Sequence, residues 1–181
     1  MDRPREILTI GHSTRALDEF LGLLQIHGVT ALADVRRFPA SRRHPHFARA
    51  ALADAVTAAG IHYHWLEGLG GRRSRRKDSP HTAWRVPAFA AYADHMETTE
   101  FAAAAAELGQ IAGNRRTAIL CAEALPTQCH RRLISDWLVV HGIAVTHILG
   151  FSRAEPHHLP DFLRVVGDRL LYDGGQTQLD L

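Results

Sequence analysis

The chain has 181 residues, a formal net charge of +2 and 46% hydrophobic residues. That length suits one α/β domain with a proper core. No apolar run approaches the roughly 20 residues that span a bilayer, which argues against a membrane partner. Two cysteines, Cys121 and Cys129, are too few for a disulfide framework. Met1 to Thr9 carries charges and lacks the apolar stretch and small-residue cleavage site of a signal peptide. A cytoplasmic location is the expectation. Of the 21 basic side chains only Lys77 is a lysine. Arginine forks suit phosphate and carboxylate recognition. A coding bias toward Arg and Ala accounts for the total, so only particular arginines are given a functional reading. The same holds for the 13 histidines.

In chain order, Glu6 to Ile10 reads as a strand. Ser13 and Thr14 can cap the helix whose stripe is Leu17, Phe20, Leu21 and Leu24. Gly28 stops it, and Val29 to Val35 is the next strand. Ala48 to Ala59 is a helix ended by Gly60, and Ile61 to Trp65 a third strand. Leu66 to Pro87 is irregular and rich in Gly, Arg, Ser and Pro, and stretches that long are usually functional or mobile. Thr98 or Thr99 caps a helix to about Ala112, closed by Gly113. Thr117 to Cys121 is a fourth strand. Thr127 caps a helix from Gln128 to Val140, Gly142 ends it, and Ile143 to Ile148 is a fifth strand. After Gly150 the pattern weakens: Pro160 to Val166 reads as a short helix, Arg169 to Tyr172 as a strand, and Gly174 to Leu181 as a loose tail. Strands alternating with glycine-terminated helices mean βαβ units. The expected fold is a mainly parallel sheet of about five strands flanked by helices, Rossmann-like or flavodoxin-like.

Ligands of open parallel sheets bind outside the carboxyl ends of the strands. Those ends carry Gly11-His12-Ser13, then Asp34 with Arg36, Ser41 and Arg42, then Gly68-Leu69-Gly70-Gly71, then Cys121-Ala122-Glu123 with Cys129-His130-Arg131, then His147. The amino ends carry no comparable set. This series, in this order, resembles the bacterial and archaeal family known as domain of unknown function 488. The resemblance runs from Ile7 to Ile148. It implies a small α/β protein without a settled activity, and it supports His12, Ser13, Asp34, Arg36, Ser41, Arg42, Cys121, Glu123, Cys129, His130 and Arg131 as site positions.

Each constellation admits a functional and a structural reading. Cys129-His130-Arg131 is expected in the first turn of a helix, where free N–H groups favour anions and lower a thiol's pKa. Alternatively Cys129 is a small buried hydrophobe. Cys121 and Glu123 alternate onto one side of their strand, as do Asp34 and Arg36. Glu123 or Asp34 can serve as general base and His12 as acid, with Cys129 a nucleophile of lesser weight. Ser13, Arg36, Ser41, Arg42, Cys121, His130 and Arg131 would bind the anion. His12, Cys121, Glu123, Cys129 and His130 are of types that zinc accepts, but the spacing from Cys121 to Cys129 fits no finger or ribbon. No metal ligand is therefore assigned. Neither a Gly-x-Gly-x-x-Gly fingerprint nor a Walker loop is present, so no cofactor is named.

The resulting expectation is a hydrolase or group transferase acting on an anionic, phosphate-bearing substrate such as a nucleotide or nucleic acid. Two alternatives stand beside it. Arg72 to Lys77, five bases in six residues, would make the chain a non-catalytic nucleic-acid-binding or regulatory module. Cys121 and Cys129 would make it a metal- or thiol-dependent redox protein.

Overall fold

A computed structural model describes residues 6–40 and 42–174. Its main sheet has six strands in the order β3-β2-β4-β1-β5-β6. These are β1 (Glu6–Gly11), β2 (Ala31–Asp34), β3 (His62–Trp65), β4 (Thr117–Cys121), β5 (Ala144–Ile148) and β6 (Ala154–Pro156). The first five are mutually parallel and β6 runs antiparallel at the edge. The helices are α1 (Leu17–Ile26), α2 (Arg49–Ala58), α3 (Pro87–His95), α4 (Thr99–Asn114) and α5 (Arg131–Val140). The α/β fold with a mainly parallel sheet is thus the one expected.

Both faces of the sheet are covered, which is why β1, β2 and β4 are almost continuously buried. Leu8, Ile10, Leu32 and Leu120 pack with Phe20, Leu24, Leu52 and Val56 of α1 and α2. Ile7, Ala33, Ile119 and Val145 pack with Tyr92, Phe101, Leu108 and Leu133 from α3, α4 and α5. Alternation along each strand divides the two cores.

Several elements differ from the sequence reading. Gly28, Gly60 and Gly142 take positive φ after α1, α2 and α5, as expected. Gly113 instead lies inside α4, which runs on to Asn114. Thr98 is the cap of α4, its hydroxyl accepting from the Phe101 N–H at 3.2 Å. Thr127 caps nothing: Pro126–Gln128 form a 3-10 turn, Cys129 is extended, and α5 begins only at Arg131. The first turn of α5 therefore does not contain Cys129. Residues 163–166 are strand, not helix. β7 (Leu163–Val166) pairs antiparallel with β8 (Arg169–Tyr172) around Gly167-Asp168, with Gly167 at φ 60°. β-Branched Val165 and Val166 before a two-residue glycine turn favour a hairpin over a helix. The tail reading at 175–181 lies outside the described residues.

α3 is an element that apolar periodicity does not announce. Six consecutive residues, Ala90 to His95, are buried, so no one-sided stripe exists. Pro87 at its first position starts it. α3 also anchors the irregular stretch before it. The Tyr92 hydroxyl donates to Leu69 O at 2.7 Å, and His95 Nε2 donates to Gly68 O at 2.7 Å. Asp94 accepts from the Arg76 N–H at 2.8 Å.

Candidate functional site

The carboxyl end of β4 is clamped by both neighbours. Past Gly11, the N–H groups of His12 and Ser13 donate to Cys121 O and Ala122 O, and the Val35 N–H donates to Leu120 O. Gly11 is obligatory for this approach, because a Cβ there would stand 1.8 Å from the Glu123 carbonyl oxygen. β4 thereby delivers Cys121 and Glu123, while the extended Cys129 and the start of α5 deliver Cys129 and His130.

These four side chains converge. The Cys121 thiol donates to Glu123 Oε2 at 3.0 Å. His130 Nδ1 lies 3.7 Å from the Cys121 sulfur and 3.7 Å from the Cys129 sulfur. His130 Nε2 is 2.9 Å from the Val35 carbonyl oxygen. A carbonyl only accepts, so Nε2 carries the proton, and in the neutral ring Nδ1 turns a lone pair toward both sulfurs. The Arg131 backbone N–H points at the Cys129 sulfur at 3.5 Å.

Electrostatics follow from this packing. The neighbouring Cys129 thiol and burial push the Cys121 thiol well above its ordinary value. Burial works against a charged His130, yet Cys121 and the Val35 carbonyl outweigh it, so its pKa is raised. Burial is the largest influence and disfavours ionised Glu123, but hydrogen bonds from Cys121, its own backbone N–H and Cys129, with the His130 charge, together outweigh it and hold the carboxyl below its usual range. Glu123 is accordingly ionised at neutral pH.

The cluster forms the floor of a cavity of about 220 Å³, walled by Arg36, Arg37, Arg72, Gln128 and, from α3, Phe89 and Tyr92. Such a space takes a small molecule or one end of a larger one; whole drug-sized ligands occupy roughly 300–1,000 Å³. Arg36 is held rigidly there: its Nε and Nη2 donate to the two oxygens of Asp34, and Nη1 donates to Phe47 O at 2.8 Å. Asp34 is fully buried and accepts also from the Arg36 N–H and the Tyr63 hydroxyl. With both oxygens engaged, Asp34 orients Arg36 rather than standing open as a base.

A family model described as Domain of unknown function DUF488 matches residues 16–138, about two thirds of the chain. The chain belongs to the DUF488 family. No curated protein and no solved structure matches it. In this DUF488 chain the matched span contains the whole Cys121, Glu123, Cys129, His130 cluster and Arg36, and leaves out His12, Ser13 and His147.

His12 does not line the cavity. It stacks on Phe47 with ring centroids 4.3 Å apart, and its Nδ1 donates to Ser13 O at 2.9 Å. Burial lowers its pKa to about 4, the Ser13 hydrogen bond countering only part of the effect. Ser13 sits in the left-handed region at φ 49°, its N–H spent on Ala122 O. Arg131 is fully buried below the floor, with Nη2 donating to Ala124 O at 2.8 Å, and Arg42 is exposed away from the cavity. Ser41 lies outside the described residues. The grouping of His12, Arg36, Glu123 and Arg131 around one anion is therefore not assembled.

Two arginines outside that grouping line the cavity instead. Arg37 and Arg72 wall the cavity, and Arg37 Nη1 donates to Arg72 O at 3.0 Å. Gly71 lies against the His130 ring, where a Cβ would be 2.8 Å from Nδ1. The adjacency of Arg37 to Arg36 and of Arg72 to Gly71 was the available signal. Tyr92 had none, since α3 itself lacks periodicity.

Proposed function

We propose that this DUF488 chain is an enzyme, a hydrolase or group transferase, that works on a small anionic substrate in the cavity above Cys121, Glu123, Cys129 and His130. The observation that carries this reading is one concave site in which a carboxylate and a paired thiol–imidazole group share the lining with guanidinium groups. Clefts with convergent polar groups and perturbed acidities are where chemistry concentrates. Arg37 and Arg72, rather than Arg42 and Arg131, would hold the anion, since Arg36 already has Asp34 as partner. Glu123 would take up a proton and His130 would hold the sulfurs in place. A phosphate or carboxylate terminus matches the cavity's size better than a whole nucleotide.

The nucleic-acid module is less well supported. Arg73 pairs with Glu100, and Arg76 with Asp94 and Glu97, so two of the five bases of the run are already paired within the protein. Thermal melts in low salt test both readings. Inorganic phosphate and small phosphomonoesters should raise the midpoint by several degrees at about 100 times the dissociation constant. Arg37→Gln with Arg72→Gln should abolish the shift, and Arg42→Gln should leave it intact. Stabilisation by oligonucleotides alone, lost on neutralising Arg75 and Lys77, would replace the enzyme reading with the binding module.

A further inference from the structure

We propose that Cys121, Cys129 and His130 form a zinc site of the catalytic type, with three protein ligands, an open fourth position facing the cavity, and Glu123 beside that position as proton acceptor. The three donor atoms lie within 4.8 Å of one another. Tetrahedral zinc with Zn–S of about 2.3 Å and Zn–N of about 2.05 Å places sulfur and nitrogen ligands about 3.6 Å apart. The two sulfur-to-Nδ1 distances are both 3.7 Å. The two sulfurs, within 4.8 Å of each other, need to close by at most about 1 Å to reach the roughly 3.8 Å of a zinc tetrahedron.

The surroundings suit a ligand set better than a chance cluster. Histidines that bind metals almost always donate their second ring N–H to a carbonyl or carboxylate, which fixes the coordinating nitrogen. His130 does this through Nε2 and Val35 O. The Arg131 N–H directed at the Cys129 sulfur is a contact that stabilises a thiolate ligand. Two thiolates with one imidazole favour zinc over the harder magnesium and calcium ions.

Linear spacing hides the site because Cys121 ends a strand while Cys129 follows a 3-10 turn. The Cys121-x-Glu123 order places a glutamate two residues beyond a ligand, as in zinc deaminases, where that glutamate is a proton shuttle and not a ligand. On metal uptake the two thiol protons pass to solvent. Water in the fourth position then loses a proton to Glu123 Oε2, and the metal-bound hydroxide forms a bond to the substrate's electrophilic atom. The leaving group departs with its bonding electrons and takes the proton from Glu123, so that water is added across the cleaved bond. This step deepens the enzyme reading above and rests on it; the metal site itself does not.

The test uses cobalt as a spectroscopic probe and zinc as competitor on the full chain, reduced and freed of metal with a chelator. One cobalt per chain should bind, with thiolate charge-transfer bands and the intense visible bands of a tetrahedral site, and zinc should bleach them. Cys121→Ser and Cys129→Ser should each lose the bands and at least tenfold in affinity, while Glu123→Gln keeps both. In the unmodified chain, zinc should shield two thiols from a maleimide reagent, which needs no variant to fold. Folded protein that takes up no cobalt, or thiols equally reactive with and without zinc, would overturn the site. Loss of the bands in Glu123→Gln would overturn the open fourth position. Metal binding without any anion-dependent stabilisation would refute the enzyme reading and leave the zinc site standing.

Discussion

Replacing Asp34 by Asn removes one negative charge from beneath Arg36 while keeping the side chain's shape. Asp34 is fully buried and its two oxygens accept from the Arg36 N–H, Nε and Nη2 and from the Tyr63 hydroxyl. An arginine cannot shed its proton, so Arg36, itself only 7% exposed, would be left as an uncompensated buried cation. Breaking a buried pair in this way typically costs about 3–5 kcal/mol. At about 2–4 °C per kcal/mol for a chain of this size, the melting midpoint should fall by roughly 6–20 °C. Tyr63→Phe, which deletes one hydrogen bond to the carboxylate, should cost only about 1.5–3 kcal/mol. Asp34→Leu with Arg36→Met should recover much of the loss, because removing both charges leaves neither stranded. Circular-dichroism melts and urea titrations at pH 7 give all three numbers. If Asp34→Asn lies within about 1 kcal/mol of the parent chain, Arg36 is effectively solvated, and the rigid arginine wall of the cavity is refuted.

Gly11→Ala should destabilise the chain by at least about 3 kcal/mol in urea titrations, the severe end of overpacking, because the new Cβ meets the Glu123 carbonyl oxygen at 1.8 Å and Arg131 Nη1 at 2.8 Å. A neutral result would mean that β1 and the β4 crest are not held together. Acidification should also lower stability. Burial holds His12 near a pKa of about 4, and His147 near about 3 with the charge of His157 adding to the effect. In the folded chain both rings stay neutral while the unfolded chain takes up protons below about pH 6.5, so stability rises with pH across that window and is lost as pH falls. His81 and His95 are lowered in the same sense by burial, whereas raised His130 opposes them. A melting temperature that stays flat from pH 7 to pH 5 would contradict these assignments.

Local information carried much of the architecture. Period-3.6 stripes, strands of β-branched and aliphatic residues, and glycines free to take positive φ are properties of neighbouring residues. They suffice for β1, α1, α2, α4, β4 and β5, and hence for the parallel sheet and its functional edge. The pairs Asp34 with Arg36 and Cys121 with Glu123 were legible as residues two apart at a strand end, although Arg36 and Glu123 lie just beyond β2 and β4. α3 escaped because a helix buried all round has no stripe, and the β7–β8 hairpin because a short apolar segment fits either period. The site itself was decided by tertiary packing. His130 meets both sulfurs only because Cys129 is extended and Val35, just past the end of β2, offers its carbonyl. His12 turns to Phe47, Arg131 is buried beneath the floor, and Arg37 and Arg72 face the cavity from segments 35 residues apart. Such distances across the fold depend on how layers stack, and no local pattern encodes them.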